Sequence, residues 1–399
     1  MYTVHSTIHR FSANLMFDGK RFVNDKTLIT DSKGKILDLI PSVDAGEDVR
    51  FLEGILCPGF INAHCHLELS HLKDKIPMHT GLIDFLMTVM QSRNENDPEE
   101  IIAFSQKANR EMADNGIMAV GDISNNTGSI PVKKNSDLYY HTFVEATGFL
   151  DFNARERFAY MKRIHQDFMN NGLTASLVPH APYSVSHSLF QLINDVSQKD
   201  IISIHNQECE EENTMYETGK SNFKRLYDNL GMDISGFRHT GKSSLKSWFP
   251  YFNMQHPIIL VHNTFTDESD IAFVNESGHS AFWCLCPNAN AYIENRMPPV
   301  EWLLKRGAKI VLGTDSLASN HQLSILEEIK TLLKHFPDIP LEKMLSWATL
   351  NGAQALQCED KYGSFEKGRT PGIIHIFPSG KNAGGEIKLS ETAKVERLK

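Results

Sequence analysis

Long apolar stretches are missing from these 399 residues. No run approaches the roughly eighteen apolar side chains that a membrane-spanning helix needs, so no membrane partner is expected. Basic runs are missing as well. The net charge of −9 comes from dispersed side chains, with nothing to track phosphates, so nucleic acid is not an expected partner. Cysteine is scarce and unpatterned: Cys57, Cys65, Cys209, Cys284, Cys286 and Cys358 form no Cys-x-x-Cys pair and no disulfide framework for so long a chain. Met1 to Lys20 alternates polar and apolar residues and lacks the apolar core of a secretory signal. Both features suit reduced thiols in a soluble cytoplasmic protein, with a homodimer left open.

What the chain does have is a set of short apolar runs that end in ligand-type residues. Gly54 to Ala63 leads straight into His64-Cys65-His66. Alternate side chains of a strand share a face, so two histidines spaced by two aim at one point. Ile201-Ile202-Ser203-Ile204 precedes His205, Ile258-Ile259-Leu260-Val261 precedes His262, and Ile310 to Thr314 precedes Asp315.

Further strand-like runs are Gly116 to Ser124, Leu138 to Gly148, Thr174 to Pro182 and His279 to Pro287, which brings the set to eight. Helical patterns lie between them, such as Pro98 to Asn115 and Leu323 to Phe336, where Leu323, Leu326, Ile329, Leu332 and Leu333 recur at helical spacing. Strand and helix in alternation predict an α/β fold with a parallel sheet. Eight repeats predict a closed (β/α)8 barrel of the TIM type, whose site lies at the C-terminal ends of its strands. Residues 1–57 and 363–399 read as short strands, with turns at Asp18-Gly19 and Lys33-Gly34, and are expected to pair into a small β-sandwich-like domain beside a barrel of residues 58–362. The polar stretch Asn206 to Ser247 is too long for an ordinary loop and is read as a lid.

His64, His66, His205 and Asp315 offer three imidazoles and a carboxylate, a set that suits one zinc or ferrous ion better than magnesium or calcium. Such a set can leave a position for water, which loses its proton near neutral pH when metal-bound. Glu208, three residues after His205, is placed for general acid/base work, against the blander reading of one more solvated acid beside Glu210, Glu211 and Glu212. His262 is either a fifth ligand or a group that orients the attacking oxygen. His180, at the end of the fourth strand, is expected to contact substrate.

As a group, Pro58 to His66, Pro179-His180-Ala181-Pro182-Tyr183-Ser184, His205-Asn206-Gln207-Glu208, Cys286-Pro287-Asn288-Ala289-Asn290 and Leu312 to Ser316 followed by Ala318-Ser319-Asn320 resemble the amidohydrolase superfamily, in particular its cytosine deaminase-like and chlorohydrolase branch. The resemblance implies a mononuclear metal on His64, His66, His205 and Asp315, with Glu208, His262 and Asp315 acting on water and substrate. Binuclear branches place a bridging lysine on the fourth strand; Thr174 to Ser186 contains none. Within the branch, His66-Leu67-Glu68-Leu69-Ser70 resembles the aminofutalosine deaminases, which act on an adenine base. Glu68, Ser316 and Asn320 then become candidate substrate contacts beside His180. The family's usual tail, Gly-x-x-Ala-Asp, reads Gly368-Arg369-Thr370-Pro371-Gly372 here.

Two signals are set aside. Gly236 to Ser243 matches a phosphate-loop pattern, but no buried strand precedes it. Cys284-Leu285-Cys286 alternates on an apolar strand, as core thiols do. The expected activity is metal-dependent hydrolytic deamination of a small amino-substituted nitrogen heterocycle of the adenine type. The alternatives are a chlorohydrolase or cyclic amidohydrolase on the same site, and a noncatalytic metal-stabilised binding protein with no use for Glu208.

Overall fold

Apolar runs bounded by turn residues become strands along the whole chain. In order they are His9–Phe17 (β1), Phe22–Val23 (β2), Lys26–Thr30 (β3), Ile36–Pro41 (β4), Arg50–Pro58 (β5), Phe60–Cys65 (β6), Ile117–Ser124 (β7), Tyr139–Ala146 (β8), Thr174–Pro179 (β9), Ile202–Asn206 (β10), Ile258–His262 (β11), Ala281–Leu285 (β12), Lys309–Leu312 (β13), Ile373–Lys381 (β14) and Ile387–Arg397 (β15). The computed structural model describes residues 8–196, 199–253, 255–381 and 387–399. Residues 1–7 and 382–386 of the two expected end segments lie outside the described residues.

Each of the eight apolar runs forms a strand. β6 to β9 make one four-stranded parallel sheet and β10 to β13 a second. Their residues are buried almost throughout, as in parallel sheets covered on both faces. Backbone hydrogen bonds link the sheets at both ends. His205 N–H donates to His180 O at 3.0 Å, while the N–H groups of Thr314 and Asp315 donate to His64 O at 3.0 and 3.1 Å. Gly313 permits the second contact, since a Cβ there would lie 2.8 Å from that of His64.

Helices fall between the strands. Pro98–Asp114 starts with proline in its first turn and Glu99 and Glu100 beside it, which favours the positive end of the helix dipole. Ile325–His335 buries Ile325, Leu326, Ile329 and Leu332 and spans most of the expected segment. The stretch read as a lid carries three short helices, Glu210–Thr218, Phe223–Asn229 and Ser244–Trp248, joined by turns. The phosphate-loop lookalike follows no strand and ends at the five-residue helix Ser244–Trp248.

Both chain ends share one seven-stranded sheet, in the order β15-β14-β5-β1-β3-β4 with β2 paired to β1. β14 runs antiparallel to β5, with Ile374 opposite Cys57. The Asp18-Gly19 turn meets the other end directly: Asp18 O accepts Phe365 N–H at 2.8 Å, and a Cβ on Gly19 would sit 2.4 Å from Gly363 O. Only Gly59 separates β5 from β6, so this sheet and the strand of His64 are continuous in the chain. No helix among the described residues is long and apolar enough to cross a membrane, and all six cysteines are buried and free.

Candidate active site

His64 closes β6 with Cys65, and His66 follows, so the two-residue spacing puts both imidazoles on one side. Their Nε2 atoms are 3.1 Å apart, and His66 Nε2 is 3.2 Å from His205 Nε2, which arrives on β10. Asp315, just beyond β13, brings Oδ1 to 3.5 Å from His64 Nε2 and 3.4 Å from His66 Nε2. Its Oδ2 accepts a 2.5 Å bond from Ser319 Oγ, which fixes the carboxylate.

This donor set fits a divalent cation. His205 Nδ1–H donates to His180 O at 2.9 Å, so its Nε2 carries a lone pair. Burial lowers His66 to about 3 and His205 well below the usual imidazole range, so both are neutral. Nε2 atoms packed this closely either share a proton in an N–H···N hydrogen bond or turn their lone pairs on a common cation, and the Asp315 carboxylate beside them suits the cation. His64, His66 and Asp315 bring ligand-type atoms within 4.8 Å of one another, and so do His64, His205 and His262. His262 Nδ1 is 2.8 Å from Asn290 Oδ1, so it is the donor there and Nε2 is left as acceptor.

The rim carries backbone strain. Gln207, His262, Asn263 and Asp315 all have φ between 46° and 72°, unusual for side-chain-bearing residues. Such positions cluster where function fixes the chain. Glu208 is 5% exposed, with Oε1 3.6 Å from His262 Nε2. Burial raises its carboxyl well above the ordinary range, and Asp315 and Glu212 add to that shift.

His66, His205, Glu208, His262 and Asp315 line one side of a cavity of about 470 Å³. Phe85, Leu86, Val89, Phe149, Leu226 and Tyr227 give it an apolar wall; the last two come from the Asn206 to Ser247 stretch. Among the expected substrate contacts, His180 and Ser316 line the cavity. Glu68 is buried, with Oε1 3.2 Å from Arg93 Nη2 and Oε2 accepting from Asn125 N–H and Asn126 Nδ2, both at 3.0 Å. Burial raises Glu68 to about 7 against the pull of Arg93. Asn320 is turned away from the floor: its Nδ2 donates to Thr314 O at 2.9 Å and Glu328 Oε1 at 2.8 Å. Arg93, Asn125, Glu145 and Arg157 also line the cavity, and sequence reasoning missed them. The one available signal was that Glu145 lies near the end of the run Leu138 to Gly148.

Parallel α/β architecture with a His/Asp cluster and a buried acid at strand ends defines a metal-hydrolase class of site. The profile of the Amidohydrolase family matches residues 55–387, and the chain belongs to that family. A Helicobacter pylori adenosine deaminase is 29% identical over 315 residues, covering 77% of this chain and 75% of the relative. The crystal structure of Helicobacter pylori aminofutalosine deaminase in complex with methylthio-coformycin superposes with a TM-score of 0.78 at 23% identity, covering 94% of this chain and 93% of that one. An adenosine deaminase from Xanthomonas campestris with bound zinc gives 0.71 at 22% identity, covering 92% and 84%.

Proposed function

We propose that this protein deaminates an adenine-type base hydrolytically, using one zinc ion held by His64, His66, His205 and Asp315. On this reading the two parallel sheets are halves of one closed (β/α)8 barrel over residues 58–362, and residues 1–57 with 363–399 form the small β-domain. The observation that carries the proposal is Glu208, 3.6 Å from His262 at the edge of a neutral-imidazole and carboxylate cluster, on the floor of a cavity with an apolar wall.

A divalent cation there supplies the acidity that makes water nucleophilic near neutral pH. Glu208 accepts the proton of the attacking water and delivers it to a ring nitrogen. His262 steers the attacking oxygen through Nε2, and Asp315 holds its position through Ser319. Water adds at the amine-bearing ring carbon, the remaining proton of the added hydroxyl passes to the amine, the carbon–nitrogen bond breaks, ammonia leaves and the ring keeps an oxo group. The relatives named as adenosine and aminofutalosine deaminases support the adenine class.

The test is a panel of adenine nucleosides, chlorotriazines and cyclic amides assayed for ammonia, chloride and ring opening. Ammonia from adenine compounds is expected; chloride or ring opening alone would assign the site to another bond. In Glu208→Gln, turnover should fall at least ~10²-fold, the lower bound for general acid/base catalysis, with wild-type metal content. Loss of the metal instead would make Glu208 a ligand.

A further inference from the structure

Glu328 stands on the helix Ile325–His335, fully buried and outside the lining of the cavity. Its carboxyl group gathers three donors from two separate strand ends. Oε2 accepts the backbone N–H of Asn288 at 2.9 Å, while Oε1 accepts Asn288 Nδ2 at 3.0 Å and Asn320 Nδ2 at 2.8 Å. Asn288 lies in the first turn of the helix Pro287–Glu294, which follows β12. Backbone N–H groups there have no partner inside the helix, so the carboxyl fixes where that helix begins. Thr331 Oγ1, one turn along from Glu328, donates to Asn288 Oδ1 at 2.5 Å and holds the amide from its other side.

The helix so placed carries Asn290, whose Oδ1 accepts His262 Nδ1–H at 2.8 Å and whose Nδ2 donates to His262 O at 3.3 Å. These two bonds set the plane of the imidazole. The other arm runs to Asp315. Asn320 Nδ2 spends its second hydrogen on Thr314 O at 2.9 Å, which closes the loop Thr314 to Asn320 across its base. Inside that loop Asp315 takes a φ of 57°, and Ser319, the neighbour of Asn320, donates to its Oδ2. Enclosing a carboxyl group costs stability that an apolar side chain of similar size would not, and here the bonds to these two turns offset that cost.

We propose that Glu328 is a positioning residue for the reaction: one buried carboxyl sets the aim of His262 through Asn288 and Asn290, and that of Asp315 through Asn320. It touches neither the cavity nor the cluster of candidate ligands. This rests on the roles given to His262 and Asp315 above. Asn320 thereby gains a task other than the substrate contact expected from the sequence.

The experiment compares Glu328→Gln, Asn288→Ala and Asn320→Ala with the wild type. It reads zinc affinity by competition with a chelator, kcat and KM for adenosine at saturating zinc, and circular dichroism on heating. Glu328→Gln keeps the shape of the side chain but turns an amide NH2 toward at least one of the three donors. It should lower kcat about 10- to 100-fold with little change in KM and weaken zinc binding by about the same factor, as when a group that orients metal ligands is removed. The asparagine variants separate the arms. Asn320→Ala should weaken zinc binding more than it lowers zinc-saturated kcat, whereas Asn288→Ala should lower kcat and leave zinc affinity as in the wild type. Variants that melt earlier yet keep wild-type kcat, KM and zinc affinity make Glu328 part of the scaffold alone and overturn the proposal. So does a rise in KM with no fall in kcat. Should Glu328→Gln fail to fold, the two asparagine variants decide. A wild type that binds zinc but releases no ammonia from adenine compounds removes only the substrate reading, and the variants are then read on zinc affinity and on the compound of the panel that does turn over. A wild type that binds no zinc removes the ligand set and the positioning role with it.

Discussion

A carboxylate and an ammonium, both fully enclosed, meet directly behind the histidines. Asp122 Oδ2 lies 2.6 Å from Lys133 Nζ, and Asp122 Oδ1 accepts the N–H of Leu67, the residue after His66, at 2.8 Å. Lys133 also donates to Ser124 Oγ and Thr142 Oγ1, both at 3.0 Å. Removing one member of a buried pair strands the other charge and costs roughly 3–5 kcal/mol, whereas replacing both is often neutral. Lys133→Met should therefore lose about that much stability in urea unfolding. Asp122→Asn combined with Lys133→Met should recover most of it, because the amide oxygen can still accept from Leu67. Indistinguishable unfolding curves for the single and double variants would show that charge compensation does not hold this corner. The sequence gives no hint of the pair, since an acid in a strand run and a lysine in the next segment have no spacing that links them. His64, His66, His205 and Asp315 were legible for the opposite reason: each follows an apolar run, and strand ends converge in a parallel sheet. Glu145 sits in an equally clear run, but only the pairing of β8 with β9, where it lies opposite Val178, fixes which way its side chain faces.

The turn that carries Glu208 is built by a neighbour that resembles a surface acid in the sequence. Glu210, Glu211 and Glu212 follow it in one row, yet their environments differ. Glu210 is exposed, Glu211 accepts from Ser221 and Asn222, and Glu212 is fully buried. Glu212 Oε1 accepts Gln207 N–H at 2.9 Å and Ser244 Oγ at 2.7 Å, while Oε2 accepts Glu208 N–H at 3.4 Å. Gln207 is locked in turn by Asp270, Asn213 and Thr266. One carboxylate thus ties the end of β10 to the helix Ser244–Trp248 and sets the height of Glu208 above the floor. Glu212→Ala leaves three buried donors unpaired, at about 1–3 kcal/mol for each unsatisfied group. The expected outcome is a destabilised enzyme whose kcat falls more than its KM rises, with metal content unchanged, because no metal ligand touches Glu212. A pure KM effect would place this acid in substrate binding instead. The long segment after β10 could be recognised as more than a loop from its length, but its division into helices depends on this buried acid, which composition cannot separate from its exposed neighbours.

Across the whole molecule, the alternation of apolar runs and helical patterns made the order of parallel strands legible, and paired turn signals made the meeting of the chain ends legible. The seams between the two parallel sheets were not, because they depend on carbonyls such as His64 O and His180 O, for which a sequence has no symbol. The candidate ligand residues lie at those seams. His64 is in β6 with His66 just beyond its end, His205 is in β10 of the other sheet, and Asp315, just beyond β13, pairs with Cys65 of β6. A cation held by all four would fasten one sheet to the other, so removing it should weaken the whole fold and not only the site. A ligand bound by the native state alone stabilises it by RT ln(1 + [L]/Kd), about 4 kcal/mol at a thousandfold excess over Kd. Chelation should therefore lower the melting temperature, and zinc added back should restore it in proportion to the logarithm of the free metal concentration. Titration should saturate at one equivalent per chain, because the described residues offer one histidine cluster with lone pairs to spare. Asp315→Ala, which removes the ligand at the seam, should flatten the dependence of melting temperature on zinc while the protein still folds. A melting temperature indifferent to chelator would mean that the backbone bonds at His64 O and His180 O hold the sheets together without help from a metal.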